Sequence, residues 1–320
     1  MGQGARPAAP AVAPQPPTAT SSRRSGDPPH LLPYQGSKRR LAAQVLAVTD
    51  GRRFRRMYEP CCGSAAVSLR AAHEGLADQY ILGDSLESLI ALWRLTLDAP
   101  EALAEAYALR WQGQHTDPRG HFEAVRAAFN RDRAPADLLY LLARCVKGAL
   151  RFNRDGDFNQ AADHRRRGAR PDTLRRRLTA VAGLLAGRTL LRAGDLARTL
   201  DDAGPDDLVY LDPPYLGTSL GRNKRYHQGL AAERLLQVLA DLDRRGVPLL
   251  LSYDGRTGTH TYGAPLPDDL GLVRFAVAAG ISSQGTLSGR RVETIESLYV
   301  SAELAPAAAR VLPRWHELDD

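Results

Sequence analysis

A chain of 320 residues, 43% of them hydrophobic, is long enough to bury one large core or two ordinary ones. Its three cysteines, Cys61, Cys62 and Cys145, form no CxxC pair and exclude a disulfide framework, and no metal site is expected. No apolar run approaches the roughly 18 residues of a membrane span, and the net charge of +7 calls for an anionic partner.

In chain order, residues 1–30 are rich in Ala, Pro, Gln, Ser and Thr and lack an apolar signal core. They read as a disordered tail, not a secretion signal, of a cytoplasmic and monomeric protein. Tyr34-Gln35-Gly36-Ser37-Lys38 follows, then an amphipathic helix from Arg39 to about Val48. Such a turn brings amides and a cation to a helix start, where an ordinary cap is the plainer explanation.

Arg55 to Tyr58 reads as a short strand running into Glu59-Pro60-Cys61-Cys62-Gly63-Ser64-Ala65-Ala66-Val67, a tight turn of small residues that opens a helix. This is the first unit of a dinucleotide-type fold. The next strand, Gln79 to Leu82, ends at Gly83-Asp84, with Asp84 lying 21 residues beyond Gly63. That spacing suits an acid that reaches ribose hydroxyls from the neighbouring strand. A helix from Leu86 to about Leu97 stops at Asp98-Ala99-Pro100.

From there to about Leu185 the pattern is helical and polar. Residues 144–192 hold thirteen Lys or Arg against four acids, a net +9, whereas the rest of the chain carries 30 basic and 32 acidic residues, a net −2. Arginine dominates this segment, and its planar fork suits phosphate and guanine edges. A solvated arginine face is the alternative.

The α/β rhythm resumes with a strand from Thr189 that ends at Gly194-Asp195, and another over Leu208–Leu211 that runs into Asp212-Pro213-Pro214-Tyr215. The prolines fix φ and remove local donors, which leaves the Pro213 carbonyl as a rigid acceptor. Asp212 adds a second acceptor, and Tyr215 offers a ring face for stacking a heterocycle. Together they suit a flat group bearing an amine; a plain Pro-Pro turn is the bland reading. A helix near Leu230 to Arg244 and strands over Pro248–Tyr253, Leu272–Ala278 and Ser297–Ser301 complete the pattern.

The ordered set Tyr34 to Lys38, Glu59 to Gly63, Asp84, Asp195 and Asp212 to Tyr215 resembles the motifs of Dam-type (D12 class) N6-adenine DNA methyltransferases. Arg151-Phe152-Asn153-Arg154-Asp155-Gly156-Asp157-Phe158-Asn159 resembles that family's stretch inside its recognition insertion, and the likeness covers residues 31–303. It implies an α/β fold with a Rossmann-like, mostly parallel, seven-stranded sheet that uses S-adenosylmethionine. The catalytic domain is expected over residues 31–99 and 186–303, an inserted helical target-recognition domain over 100–185, and a carboxyl-terminal tail over 304–320.

By the same resemblance, Tyr34, Lys38, Glu59, Pro60, Cys62, Gly63, Asp84, Asp195 and Asp212 would hold the cofactor. Asp212, Pro213, Pro214 and Tyr215 would hold an adenine flipped out of a double-stranded DNA. Arg151, Asn153, Arg154, Asn159, Arg165, Arg166 and Arg167 would contact the DNA. Ala65 and Cys62 depart from the family pattern, standing where a second glycine and an aromatic residue are usual. His227 reads equally as part of a loop closing over the base or as a surface histidine, and Ser282 to Arg290 as a phosphate contact or a connecting loop.

The rival readings are an RNA adenine methyltransferase, a protein amide methyltransferase, which Asp in place of Asn at 212 disfavours, and a non-catalytic DNA-binding module. Pro60-Cys61 invites comparison with the Pro-Cys nucleophile of cytosine-C5 enzymes, but it lies in the cofactor turn.

Overall fold

The computed structural model describes residues 26–31, 33–213, 232–258, 260–263, 265–281 and 293–318. Its centre is one sheet of eight strands: β1 (Phe54–Glu59), β2 (Ala77–Asp84), β3 (Thr189–Ala193), β4 (Leu208–Leu211), β5 (Leu249–Thr257), β6 (His260–Tyr262), β7 (Leu272–Ile281) and β8 (Glu293–Ser301). Seven of them run in the order β3-β2-β1-β4-β5-β8-β7, and β6 pairs off this path with β5. The expected seven-stranded sheet is therefore extended by a short eighth strand. His260-Thr261-Tyr262 is too short to show alternation in the sequence.

Strands β1 to β5 pair in parallel, and β8 is antiparallel to both of its neighbours. Leu208-Val209-Tyr210-Leu211 is apolar throughout because this central strand is buried on both faces. Its residues divide alternately: Leu208 and Tyr210 join a core with Met57, Tyr80 and Leu82, while Val209 and Leu211 join a second core with Tyr58 and Ile81.

Helices α1 (Ala42–Ala47), α2 (Ala66–Glu74) and α3 (Glu87–Asp98) contribute to the first core. Helices α8 (Leu196–Thr199) and α9 (Ala232–Arg244) contribute to the second. In α9 the apolar stripe Leu235, Val238, Leu239 and Leu242 has the spacing of one helix face.

Between β2 and β3 lie α4 (Pro100–Gly113), α5 (Pro118–Asp132), α6 (Pro135–Arg144) and α7 (Pro171–Leu185). Each begins with proline, whose fixed φ suits the first turn and whose missing N–H costs nothing there. The Asp117 side chain caps α5 by accepting from the amides of Arg119 and Gly120. Tyr107, Phe122, Phe129 and Leu138 to Leu142 are buried in the same cluster as α2 and α3, so these helices share the core on one face of the sheet.

The last segment, which includes α10 (Ala305–Ala308), also docks. The Ala276 N–H donates to the Pro313 carbonyl at 2.9 Å, and the Arg274 guanidinium lies 3.8 Å from the centre of the Trp315 ring. Among the described residues, no helix is long and apolar enough to cross a membrane.

Candidate active site

Parallel pairing puts the carboxyl ends of β1, β2, β3 and β4 on one edge of the sheet. The strand order reverses between β1 and β4, and in open α/β sheets a ligand crevice forms at such a reversal. Glu59 closes β1, Asp84 closes β2, Asp195 follows β3 and Asp212 follows β4. Four acids far apart in sequence thus reach one edge.

The turn after β1 is tied down from several sides. Asp84 accepts the Gly63 amide at 3.1 Å with one carboxylate oxygen and the Leu86 amide at 3.0 Å with the other. Trp93 Nε1 donates to the Gly63 carbonyl at 3.0 Å, and the Cys62 amide donates to Gly83 at 2.8 Å. Gly63 has a φ of +47°, and a Cβ there would lie 2.9 Å from Tyr34 Cε1. Glycine is thus favoured by the backbone and by the Tyr34 ring resting on it.

Ala65 also adopts the left-handed conformation, with φ 48° and ψ 37°, and is fully buried. The position without the usual glycine is therefore one where the backbone favours glycine. Pro60 lies behind the turn, its Cα 3.1 Å from where a Cβ on Gly83 would stand.

Lys38 and Asp212, 174 residues apart, meet directly. Lys38 Nζ donates to Asp212 Oδ1 at 2.8 Å, and Lys38 is only 7% exposed. Glu296 of β8 lies on its other side, with Oε2 3.5 Å from Nζ. Glu59, also buried, accepts the Ser68 amide at 2.9 Å.

Burial sets the proton affinities here. It pushes the Glu59 carboxyl up to about 7, against the hydrogen bonds from Ser68. It also raises Asp212 above the usual carboxylate range, although Lys38 opposes it. The Cys61 thiol is raised well above its ordinary value, first by burial and then by Asp84, Asp212, Glu59 and Asp195. A thiol held neutral in this way is a poor nucleophile, which agrees with setting the Pro60-Cys61 comparison aside. Burial holds the Cys62 thiol neutral as well.

Asp195 stands at the outer end of this edge. It caps α8 by accepting the Ala197 amide at 2.9 Å and lies 3.4 Å from Arg234. Pro213 is buried beside Asp212. Pro214, Tyr215, His227 and Ser282 to Arg290 lie outside the described residues.

The stretch 151–159 forms a hairpin. Phe152 and Phe158 bridge across it and pack edge-on, and Phe158 packs against Phe129. The Asn153 side-chain oxygen accepts the amides of Asp155 and Asp157 at 3.0 and 2.8 Å. Asn153 therefore shapes the turn, leaving Arg154 and Asn159 exposed and Arg151 half-buried. Arg165, Arg166 and Arg167 are exposed in the following loop, with Arg166 3.3 Å from Asp163.

Not all the local positive charge faces solvent. Arg144 is buried and donates to the Asp163 carbonyl, and Arg192 pairs with Asp201 and Asp202.

Glu296 and Gly148 were not singled out from the sequence. Glu296 lies in the mixed polar and apolar strand β8, just before the strand expected over Ser297–Ser301. Gly148 has a φ of +60°, and a Cβ on it would meet the Pro33 carbonyl oxygen at 2.4 Å. Its own carbonyl accepts the Gln35 amide at 3.1 Å, which joins the Tyr34 to Lys38 motif to the helical insertion.

The strand order, the glycine turn after β1 and the acid closing β2 define a Rossmann-like methyltransferase fold. Within that class, the chain belongs to the D12 class N6 adenine-specific DNA methyltransferase family, whose profile matches residues 34–278. It is 29% identical over 211 residues to a DNA N-6-adenine-methyltransferase of Escherichia phage P1, matching 63% of this chain but only 27% of that protein. The chain thus aligns with about a quarter of the phage protein's length.

It is 24% identical over 234 residues to the type II methyltransferase M1.LlaDCHI of Lactococcus lactis subsp. cremoris, matching 68% of this chain and 78% of that one. Among solved structures it is similar to a precorrin-6y C5,15-methyltransferase of Geobacter metallireducens, at 12% identity and a TM-score of 0.33 over 82% of this chain and 87% of that one. That likeness is too slight to bear on the fold, which rests on the strand order.

Proposed function

We propose that the chain transfers a methyl group from S-adenosylmethionine to the N6 amine of adenine in double-stranded DNA, at a specific sequence. The observation that carries this reading is the Lys38–Asp212 pair, set at the end of β4 beside the glycine turn and among carboxylates from three other strands.

The residues present fit the methyl donor. Tyr34 packs on Gly63 in the turn after β1, and Glu59, Asp84, Asp195 and Asp212 give the crevice a negative potential that favours a cationic ligand. Tyr34, Lys38, Pro60, Cys62 and Gly63 would form its wall, and Asp84 and Asp195 would take its hydroxyl and adenine ends. When bound, S-adenosylmethionine supplies an electrophilic methyl group on a positively charged sulfur.

Asp212 and the Pro213 carbonyl each accept a hydrogen from the adenine N6 amine. Two acceptors fix the orientation of a nitrogen whose lone pair is otherwise delocalised, and such alignment supplies part of the roughly 7–11 kcal/mol available from positioning. Pro214 and Tyr215 complete the base pocket. The amine sheds its proton to Asp212 or to solvent, and no covalent bond to the protein forms.

An adenine stacked in a duplex cannot reach Asp212, so the base is flipped at a cost of about a few kcal/mol. Residues 100–185 act as the recognition insertion, with Arg151, Arg154, Asn159 and Arg165 to Arg167 facing the DNA and Asn153 holding the hairpin's shape. Phosphate contacts offset the cost of flipping.

Purified protein incubated with labelled S-adenosylmethionine and unmethylated duplex DNA is expected to yield N6-methyladenine. Asp212→Ala is expected to abolish transfer while DNA retention persists. Transfer to RNA but not to DNA refutes the assignment, and so does full activity of the variant.

A further inference from the structure

The exposed arginines Arg165 to Arg167 sit on a loop whose backbone is held from beneath. Arg144 Nη1 donates to the Asp163 carbonyl at 2.9 Å, and the Asp163 amide donates back to the Arg144 carbonyl at 2.7 Å. Gln114 Nε2 donates to the Arg167 carbonyl at 3.1 Å, and Tyr107 Oη to the Ala169 carbonyl at 2.7 Å. All three anchoring side chains are buried.

The sequence sets these donors side by side. Tyr107 on α4 and Gln114 just after it are seven residues apart, about two helical turns, and so share one face. Arg144 closes α6. Gly168 lets the loop settle on them: its φ is +77°, and a Cβ there would lie 3.1 Å from Tyr107 Oη and 3.4 Å from the Ala143 carbonyl oxygen. The Asp163 carboxylate adds a bond from the Arg165 amide at 2.9 Å.

A surface loop can leave its carbonyls to water. Here three polar side chains, costly to bury unless hydrogen-bonded, are committed to the carbonyls of Asp163, Arg167 and Ala169 instead. The inner side of the loop is thereby fixed to the core, while the three guanidinium groups stay in solvent.

We infer that Tyr107, Gln114 and Arg144 are positioning residues for DNA: they hold residues 163–169 in the binding conformation before DNA arrives. This rests on the proposed function, and it acts through Arg165 to Arg167, the groups that meet phosphate. Segments that must be ordered on binding subtract from affinity, so arginines on an anchored loop bind a polyanion more tightly than the same arginines on a free one.

The test uses the full chain with Tyr107→Phe and Gln114→Met, singly and together, each removing one donor with little change of volume. The same pair is also made in a chain with Arg165, Arg166 and Arg167 replaced by Ala, and binding is measured well below the melting temperature of every variant. The double variant is expected to bind duplex DNA about tenfold more weakly, with affinity for S-adenosylmethionine held within about twofold. Without the three arginines, the same two changes are expected to alter DNA affinity by less than about twofold. Undiminished DNA binding by the double variant overturns the inference, as does an equal loss with and without the arginines.

The loop is also read without DNA. Trypsin cleaves after arginine, and cleavage at Arg165 to Arg167 is expected to be at least about tenfold faster in the double variant than in the wild type. Equal rates overturn the inference. If the wild-type chain binds no duplex DNA, the proposed function fails, and the cleavage rates alone decide whether these residues hold the loop.

Discussion

Glu59 should make the protein less stable than it need be at neutral pH. It is 4% exposed, and burial lifts its carboxyl from 4.5 to about 7. Each pH unit of that difference is worth about 1.4 kcal/mol, so the ionised carboxylate weakens the folded state by roughly 3 kcal/mol at pH 8. The folded state binds the proton more tightly than the unfolded chain. The contribution of Glu59 therefore falls as pH rises from about 4.5 through about 7 and is flat above that.

Glu59→Gln mimics the protonated form and keeps an acceptor for the Ser68 amide. Urea unfolding of both proteins between pH 5 and pH 8.5 isolates this group, since other titrations cancel in the difference. The variant is expected to match the wild type near pH 5 and to exceed it by up to about 3 kcal/mol at pH 8, while its affinity for S-adenosylmethionine falls. A difference that does not change with pH, or a variant less stable at pH 8, refutes the reasoning.

Ala65→Gly should leave stability within about 1 kcal/mol of the wild type, because relief of roughly 1–2 kcal/mol of left-handed strain is offset by chain entropy and a lost buried methyl group. Thermal melts check this, and a large destabilisation would show that the turn does not need glycine geometry. Replacing Arg165, Arg166 and Arg167 with Ala should lower the slope of log affinity against log salt for duplex DNA by up to about 3 with no change in melting temperature. An unchanged slope would show that these side chains are only solvated.

The sequence revealed most where a motif and its strand coincide. Leu208 to Leu211 was readable because a central parallel strand is apolar on both faces. Two features escaped for physical reasons. β6 is three residues long and exists by pairing with β5. Glu296 gains its meaning from Lys38, a partner that sequence distance hides.

Arg144 and Arg192 add to the local positive charge, yet one is buried and the other neutralised by Asp201 and Asp202. Charge counted along a chain does not show which groups face solvent. Asn153 was read as a DNA contact, and its side-chain oxygen is taken by its own turn, a use that Asn in a tight turn makes common.

The two ligands of the proposed reaction have opposite charge, and the residues that attract them come from different segments of the chain. Glu59, Asp84, Asp195 and Asp212 gather at one edge of the sheet, and Asp212 and Glu296 flank the buried Lys38, which suits a cationic donor. The exposed arginines sit instead on the hairpin and loop of the insertion, 151–167, which suits a polyanion. The Gly148–Gln35 bond links the two regions, and it joins the insertion to the very turn that carries Lys38.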